Sequence, residues 1–280
     1  LSSMFNALGK SRIPLYFLIF SSVFNIVLDW VFVADFALDV AGVAWATLIA
    51  QGVSVLGSFT VLRMELKKLE GASDGIFATE ELLPMAKIAL PSILQQSTVS
   101  IGMMLVQSVV NSFGSQMLAG YSAAMRVESI CVVPMSAMGN AISSYTAQNI
   151  GAGKNERIPL GFRTGVKLSE LTALPFVILY FIFSRQMMGL FLGAESVEAI
   201  SAGMAFLKIV SPWYFMIVIK LMTDGIIRGS GAMVYFVVAT VPDLILRIGF
   251  ALVLTKSFGS TGIWMAWPFG WIAATVLTLV

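Results

Sequence analysis

The sequence predicts an all-α, polytopic membrane protein, and three observations carry that expectation. Hydrophobic residues make up 58% of the 280 positions and charged residues 11%, where soluble domains carry roughly 45–50% and about 25%. The apolar residues come in long runs such as Leu171 to Phe183 with its neighbours, and a helix of about 20 residues crosses a bilayer. A barrel strand would alternate with a period of two, whereas a helix satisfies its own backbone in lipid.

Loop and breaker residues divide the chain into eight spans, at about 14–34, 41–62, 84–112, 116–149, 158–184, 197–228, 233–256 and 261–280. The first follows a turn at Gly9, and the second opens at Gly42. Between the second and third lies the one extended polar stretch, Arg63 to Glu81, centred on the breaker Gly71-Ala72-Ser73-Asp74-Gly75. The third and fourth spans carry stripes of Gln, Ser and Asn, and the fifth is continuous and apolar. The sixth holds Lys220, Asp224 and Arg228, the seventh Asp243 and Arg247, and the eighth starts at Gly262. These boundaries predict two helices ending an N-terminal lobe (1–62), an inter-lobe linker (63–83) and a six-helix lobe (84–280).

Orientation follows from Lys and Arg. Lys10, Arg12, Arg63, Lys67, Lys68, Lys87, Lys154, Arg157, Arg163, Lys167 and Arg228 collect on one side, and only Arg185 and Lys256 on the other. The positive-inside rule makes the linker cytoplasmic. Trp30, Trp45, Trp264 and Trp267 are then expected near the outer boundary, where indole rings favour the headgroup layer. The chain also repeats itself. Asp39-Val40-Ala41-Gly42-Val43-Ala44-Trp45-Ala46 aligns with Gly259-Ser260-Thr261-Gly262-Ile263-Trp264-Met265-Ala266, and Asn25 to Asp29 with Asp243 to Arg247. Spans one and two thus mirror seven and eight. If the last six spans form one repeat, the first two end an earlier one and four helices precede them. The opening on Leu1 and the stop at Val280 inside an apolar run fit a piece of a longer protein.

Several functions are excluded. Cys131 is the only cysteine and histidine is absent, so Cys-based metal sites, His-based triads and His–Glu zinc motifs have no residues to build them. The net charge of +2 gives no support to nucleic-acid binding. Gly151-Ala152-Gly153-Lys154-Asn155 has Gln148 and Asn155 where a phosphate loop needs Gly and Ser or Thr, so the energy source is expected to be an ion gradient.

Three segments carry a family resemblance: Ala7-Leu8-Gly9-Lys10-Ser11-Arg12-Ile13-Pro14, Gln148-Asn149-Ile150-Gly151-Ala152-Gly153-Lys154 and Ile227-Arg228-Gly229-Ser230-Gly231. In their order and spacing the chain resembles the multidrug and toxic compound extrusion (MATE) family. The resemblance implies a fold of two six-helix lobes, twelve helices in all, here truncated to about eight: the end of the first lobe plus a complete second lobe. It implies exchange of sodium or protons for organic cations by alternating access, with no cofactor beyond the coupling H+ or Na+. The implied partners are small organic cations or drugs, membrane lipids and the missing N-terminal helices, and the implied location is the cytoplasmic membrane of a bacterium. The chain departs from the family's pattern in one respect. Sodium-coupled members of the NorM branch use a Glu on the seventh helix and an Asp in the outer half of the tenth. Here Leu90 to Phe113 has no acid, and the outer tenth helix offers Lys208, Trp213 and Tyr214. DinF-like members depend on a first-helix aspartate outside this sequence.

The charges inside the spans are the candidates for ion or proton coupling. Lys220, Asp224 and Arg228 fall at i, i+4 and i+8, on one helix face. They read either as a structural pair with Arg228 reaching the interface, or as a site where Asp224 alternates between Lys220 and a proton or cation. Asp243 and Arg247 repeat the spacing just after Pro242, whose missing donor loosens a helix; a cavity-facing role and a structural clamp are both open. Glu128 is a protonation site if unpaired, and otherwise a partner for a basic side chain of its lobe. Candidate cavity-lining residues are Gln96, Ser100, Gln107 and Asn111 on one face of the third span, with Arg126 and Asn140 on the fourth, although such residues also hold helices together. Met103, Met104, Met125, Met135 and Met138 add adaptable surface. A lipid-linked oligosaccharide flippase of the same superfamily is the alternative, disfavoured by mixed charge signs where a pyrophosphate needs cations. An enzyme is not expected, and a fragment inactive on its own is a further alternative.

Overall fold

The computed structural model describes residues 1–36, 38–68, 79–193 and 195–279, and among them there is no strand. The helices are α1 (Ser2–Ala7), α2 (Arg12–Trp30, continued by a π-helical turn Val31–Asp35), α3 (Asp39–Leu66), α4 (Thr79–Asn111), α5 (Ser115–Gly151), α6 (Ile158–Phe191), α7 (Val197–Val210), α8 (Tyr214–Gly229), α9 (Met233–Phe258) and α10 (Ser260–Leu279). They form two compact units, 1–78 and 79–280. The ends of the stretch read as a linker are helical, at 63–66 and 79–83. The Gly71–Gly75 breaker lies outside the described residues.

Among the described residues six stretches are long and apolar enough to cross a membrane: Arg12–Asp35, Asp39–Leu66, Thr79–Asn111, Asn155–Phe191, Val197–Gly229 and Met233–Phe258. Eight spans were expected, and the remaining two are α5 and α10. With 37 and 20 residues they are long enough, at 1.5 Å per residue, but α5 is rich in Ser, Asn and Gln and α10 in Gly, Thr and Trp. Both bury much of their surface inside their unit, so they need less apolar surface than a helix facing lipid on most sides. The sixth span is two helices, because Pro212 sits in a 3₁₀ turn, Ser211–Trp213, between α7 and α8. Pro84, Pro91, Pro134, Pro175, Pro242 and Pro268 lie within continuous helices.

In the first unit α2 packs on α3. Gly57 admits the Phe17 ring, which a Cβ would meet at 2.7 Å, and Asn25 Nδ2 donates to Thr47 Oγ1 at 3.3 Å. Glu65 pairs with Lys10 and Lys68. Trp30 and Trp45 are 68% and 56% exposed.

The second unit is built on close helix contacts. Association in lipid gains from small residues that let backbones approach. A Cβ on Gly120 would strike the Ala199 carbonyl of α7, and Cβ atoms on Gly225 and Gly229 would strike the Gly139 and Ser143 carbonyls. Glycine therefore seats α7 and α8 on α5. Around this contact lies an aromatic cluster: Tyr121 stacks on Trp264 at 5.4 Å, Phe206 meets Trp264 and Trp267 edge-on, and Trp267 meets Trp271 at 5.8 Å. Trp264 and Trp267 are 1% and 5% exposed. Their expected place in a headgroup belt is corrected: the indoles fill the interior of the unit, because α10 packs along α9.

The three segments that carry the family resemblance share one backbone closure. Gly9, Gly153 and Gly231 have φ of 72°, 70° and 75°. The next N–H in each case bonds five residues back, Lys10 to Phe5, Lys154 to Asn149 and Ala232 to Ile227, at 2.8, 2.8 and 3.1 Å. This is a glycine-dependent helix C-terminus that satisfies orphan carbonyls, and it explains why Gly151-Ala152-Gly153-Lys154 imitates a phosphate loop.

A Gly225→Val substitution is expected to destabilise the protein by about 2 kcal/mol or more, as overpacking does. Gly189→Ala, where a Cβ meets nothing within 4 Å, should be neutral. Melting temperatures of the two variants in detergent check this; equal values would remove the claim that α8 needs glycine against α5.

Candidate functional site

The second unit carries a half-open cavity of about 510 Å³ whose wall comes from five helices. α4 supplies Gln95, Gln96 and Met103; α5 supplies Met125, Glu128, Ser129, Ser136 and Asn140. Lys220, Asp224 and Arg228 come from α8, Asp243 and Arg247 from α9, and Trp267 and Trp271 from α10. The candidates for ion or proton coupling, Glu128, Lys220, Asp224, Asp243 and Arg247, thus meet in one cavity with Gln96 and Asn140. Ser100, Gln107, Asn111 and Arg126 are exposed outside it. Of the methionines, Met103 and Met125 reach the wall; Met135 and Met138 pack in or against the hydrophobic core, and Met104 is exposed.

The helical spacing dictates the pairing. Lys220 Nζ donates to Asp224 Oδ2 at 2.6 Å. Arg247 Nη2 donates to both Asp243 oxygens, at 2.9 and 2.7 Å. All four side chains are buried, and charge in such surroundings persists when it is paired. Each pair retains unused capacity: among the described residues Asp224 Oδ1 and Arg247 Nε have no hydrogen-bond partner. The Arg247 guanidinium lies 4.8 Å above the Trp267 ring, a cation–π contact. The Asp243 carboxyl has room because residue 270 is glycine; a Cβ there would lie 2.5 Å from Oδ1. Pro242, one residue before Asp243, lies within an unbroken helix.

Arg228 keeps its guanidinium 5.7 Å over Phe236 on the cavity wall. Among the described residues it makes no ion pair. Glu128 likewise makes no ion pair within 4.0 Å among the described residues, so the reading that ties it to a basic side chain is corrected: Lys220 and Arg247 are already bonded to aspartates one turn away. The Tyr214 hydroxyl lies beside the Glu128 carboxyl, though among the described residues neither it nor Glu128 Oε1 meets hydrogen-bond geometry with a partner. Sequence reasoning missed Gln95 and Trp271 as part of this cavity, and Tyr214 as a neighbour of Glu128. Only the i, i+4 spacing of Trp267 and Trp271 hinted at a shared face.

Of the three carboxyls and three cations on its wall, two of each are tied in pairs, which leaves Glu128 and Arg228 to meet a charged guest. An all-helical, multi-pass membrane protein with a charged cavity inside its bundle is the class this fold and site define. The chain belongs to the MatE family, a family of transporters rather than enzymes, whose sequence model matches residues 91–253. It is 31% identical over 265 residues to the probable multidrug resistance protein YpnP of Bacillus subtilis, and 26% identical over 284 residues to YoeA of the same organism, also described as a probable multidrug resistance protein. These alignments cover 94% and 96% of the chain but 59% and 60% of those proteins. A solved multidrug resistance MATE family transporter of the MOP superfamily, in an outward-facing conformation, superposes with a TM-score of 0.88 at 24% identity, over 99% of this chain and 63% of that one.

Breaking a buried pair costs more than deleting it. Lys220→Met is expected to destabilise by about 3 kcal/mol, and adding Asp224→Leu to recover most of that loss. Thermal unfolding of the single and double variants in detergent measures it; strictly additive losses would show that the two charges do not depend on each other.

Proposed function

We propose that the chain is part of a secondary multidrug exporter in which H+ or Na+ enters as organic cations or other xenobiotics leave by alternating access across the bacterial cytoplasmic membrane. In this reading residues 84–280 form one lobe, residues 1–62 end the other, and 63–83 link them. Helices outside this sequence complete the transporter to the relatives' length. The observation that carries the reading is the cavity, which places two desolvated ion pairs and one unpaired carboxyl in the middle of an apolar bundle. Charges retained at such a place are costly and mark transport pathways. Asp224 serves as a coupling residue that trades Lys220 for the entering ion, through the Oδ1 that has no partner. Gln96 and Asn140, with the Met and Trp side chains beside them, offer the adaptable, partly aromatic wall that varied hydrophobic cations fit.

The equal number of acids and bases on the wall argues against a lipid pyrophosphate headgroup, which needs an excess of cations. The test is ethidium efflux from energised cells that express a full-length transporter carrying this chain, with the proton and sodium gradients collapsed separately. Efflux is expected to stop with one of the two gradients, and Asp224→Asn to lower it about tenfold or more, the size of a lost coupling free energy. No efflux under any gradient would overturn the drug-export reading in favour of a lipid substrate. Unchanged efflux in Asp224→Asn would remove Asp224 from it.

A further inference from the structure

Glu128 is the carboxyl that the two ion pairs leave over. It is 3% exposed, it lines the cavity, and among the described residues its Oε1 meets no hydrogen-bond geometry, with the Tyr214 hydroxyl beside it. The titratable groups that face it are Tyr121 and Cys131 on its own helix, Tyr180 on α6, Tyr214 on α8 and Arg247 on α9. Lys220, Asp224, Arg228 and Asp243 share the cavity wall, Arg228 with its guanidinium over Phe236. Arg247 lines the same cavity wall as Glu128. A guanidinium has five N–H donors, and Arg247 gives Asp243 two bonds from one nitrogen while its Nε stays unpartnered. It is therefore tethered to one carboxylate with donors to spare for a second.

We propose that Arg247 is an exchangeable counter-ion shared by Asp243 and Glu128, so that a proton on Glu128 and an organic cation on Asp243 exclude each other. With Glu128 protonated, Arg247 stays on Asp243 and the three groups sum to zero charge. When the Glu128 O–H bond breaks and its proton passes to bulk water, the carboxylate draws Arg247 across. Asp243 is then left uncompensated beside the Trp267 face, and an organic cation that settles there restores neutrality. Proton and cation bound together would leave the trio at plus one, and neither bound at minus one. Both are unfavourable in a low-dielectric cavity, so the two neutral states dominate and one ligand replaces the other. Arg247 is a positioning residue in this scheme, and Glu128 holds the proton that the organic cation displaces, a site separate from the ion taken up at Asp224.

The inference rests on the organic-cation reading above, and its experiment separates the two. Tetraphenylphosphonium binding to the purified full-length transporter in lipid nanodiscs is measured by calorimetry in buffers of different ionisation enthalpy, from about pH 6 to about pH 8. Affinity is expected to rise with pH, with release of about one proton per cation bound. Glu128→Gln, which mimics the protonated acid, should bind about tenfold more weakly at the high-pH end, with a flat pH profile and no proton release. If that variant fails to fold, infrared difference spectra of the unaltered protein decide: the proposal expects a protonated-carboxyl band to vanish on cation addition, and a band the cation leaves in place overturns it. Proton release that Glu128→Gln leaves unchanged overturns this inference alone. No cation binding by the unaltered protein overturns both readings.

Discussion

Each buried aspartate of the cavity is held by a cation one helical turn along its own helix, Asp224 by Lys220 and Asp243 by Arg247. Helical geometry sets i and i+4 on one face, and burial removes the water that would otherwise compensate the charge. The pairs therefore determine which faces of α8 and α9 turn inward, and the rest of the second unit accommodates them. Because both pairs are closed within single helices, α8 and α9 could each carry a neutral polar face without help from a neighbour. What they leave unmatched, Glu128 on α5 and Arg228 at the end of α8, gives the cavity its capacity to respond to a charged guest.

Packing turns that constraint into a shape. Glycines at 139, 225 and 229 bring the α5 and α8 backbones into contact, while Gly270 leaves room for the Asp243 carboxyl against α10. Small residues on one side of the helices and aromatic rings on the other divide the interior. Tyr121, Phe206, Trp264, Trp267 and Trp271 fill one region and leave the polar faces of α4, α5, α8 and α9 around the cavity. α5 shows the consequence most clearly: enclosed by its neighbours, it tolerates the Ser, Asn and Glu residues that would be unfavourable against lipid.

Much of this was legible in the residues. Apolar run lengths fixed the helical class, and the i, i+4 charges announced both ion pairs, because those patterns are local and follow from the helix itself. The family resemblance was legible for a local reason too, since its glycines close helix ends through a conformation that side chains disfavour. The failures are non-local. Trp264 and Trp267 look like boundary indoles until α9 and α10 are seen to pack along each other. Nothing in the sequence around Glu128 shows that Lys220 and Arg247 are already engaged, and only the fold brings Gln95 to the same cavity and Tyr214 beside the carboxyl. Ser100, Gln107 and Asn111 share a face as expected, but sharing a face does not fix what that face meets.

The central claim is that the cavity of the second unit seats the cation, and the direct test is where a heavy-atom cation binds. Crystals of the full-length transporter grown with tetraphenylarsonium should show an arsenic anomalous peak inside the cavity, beside Asp243 and the Trp267 face. A peak at any other place in the protein, with this cavity empty, would contradict the account.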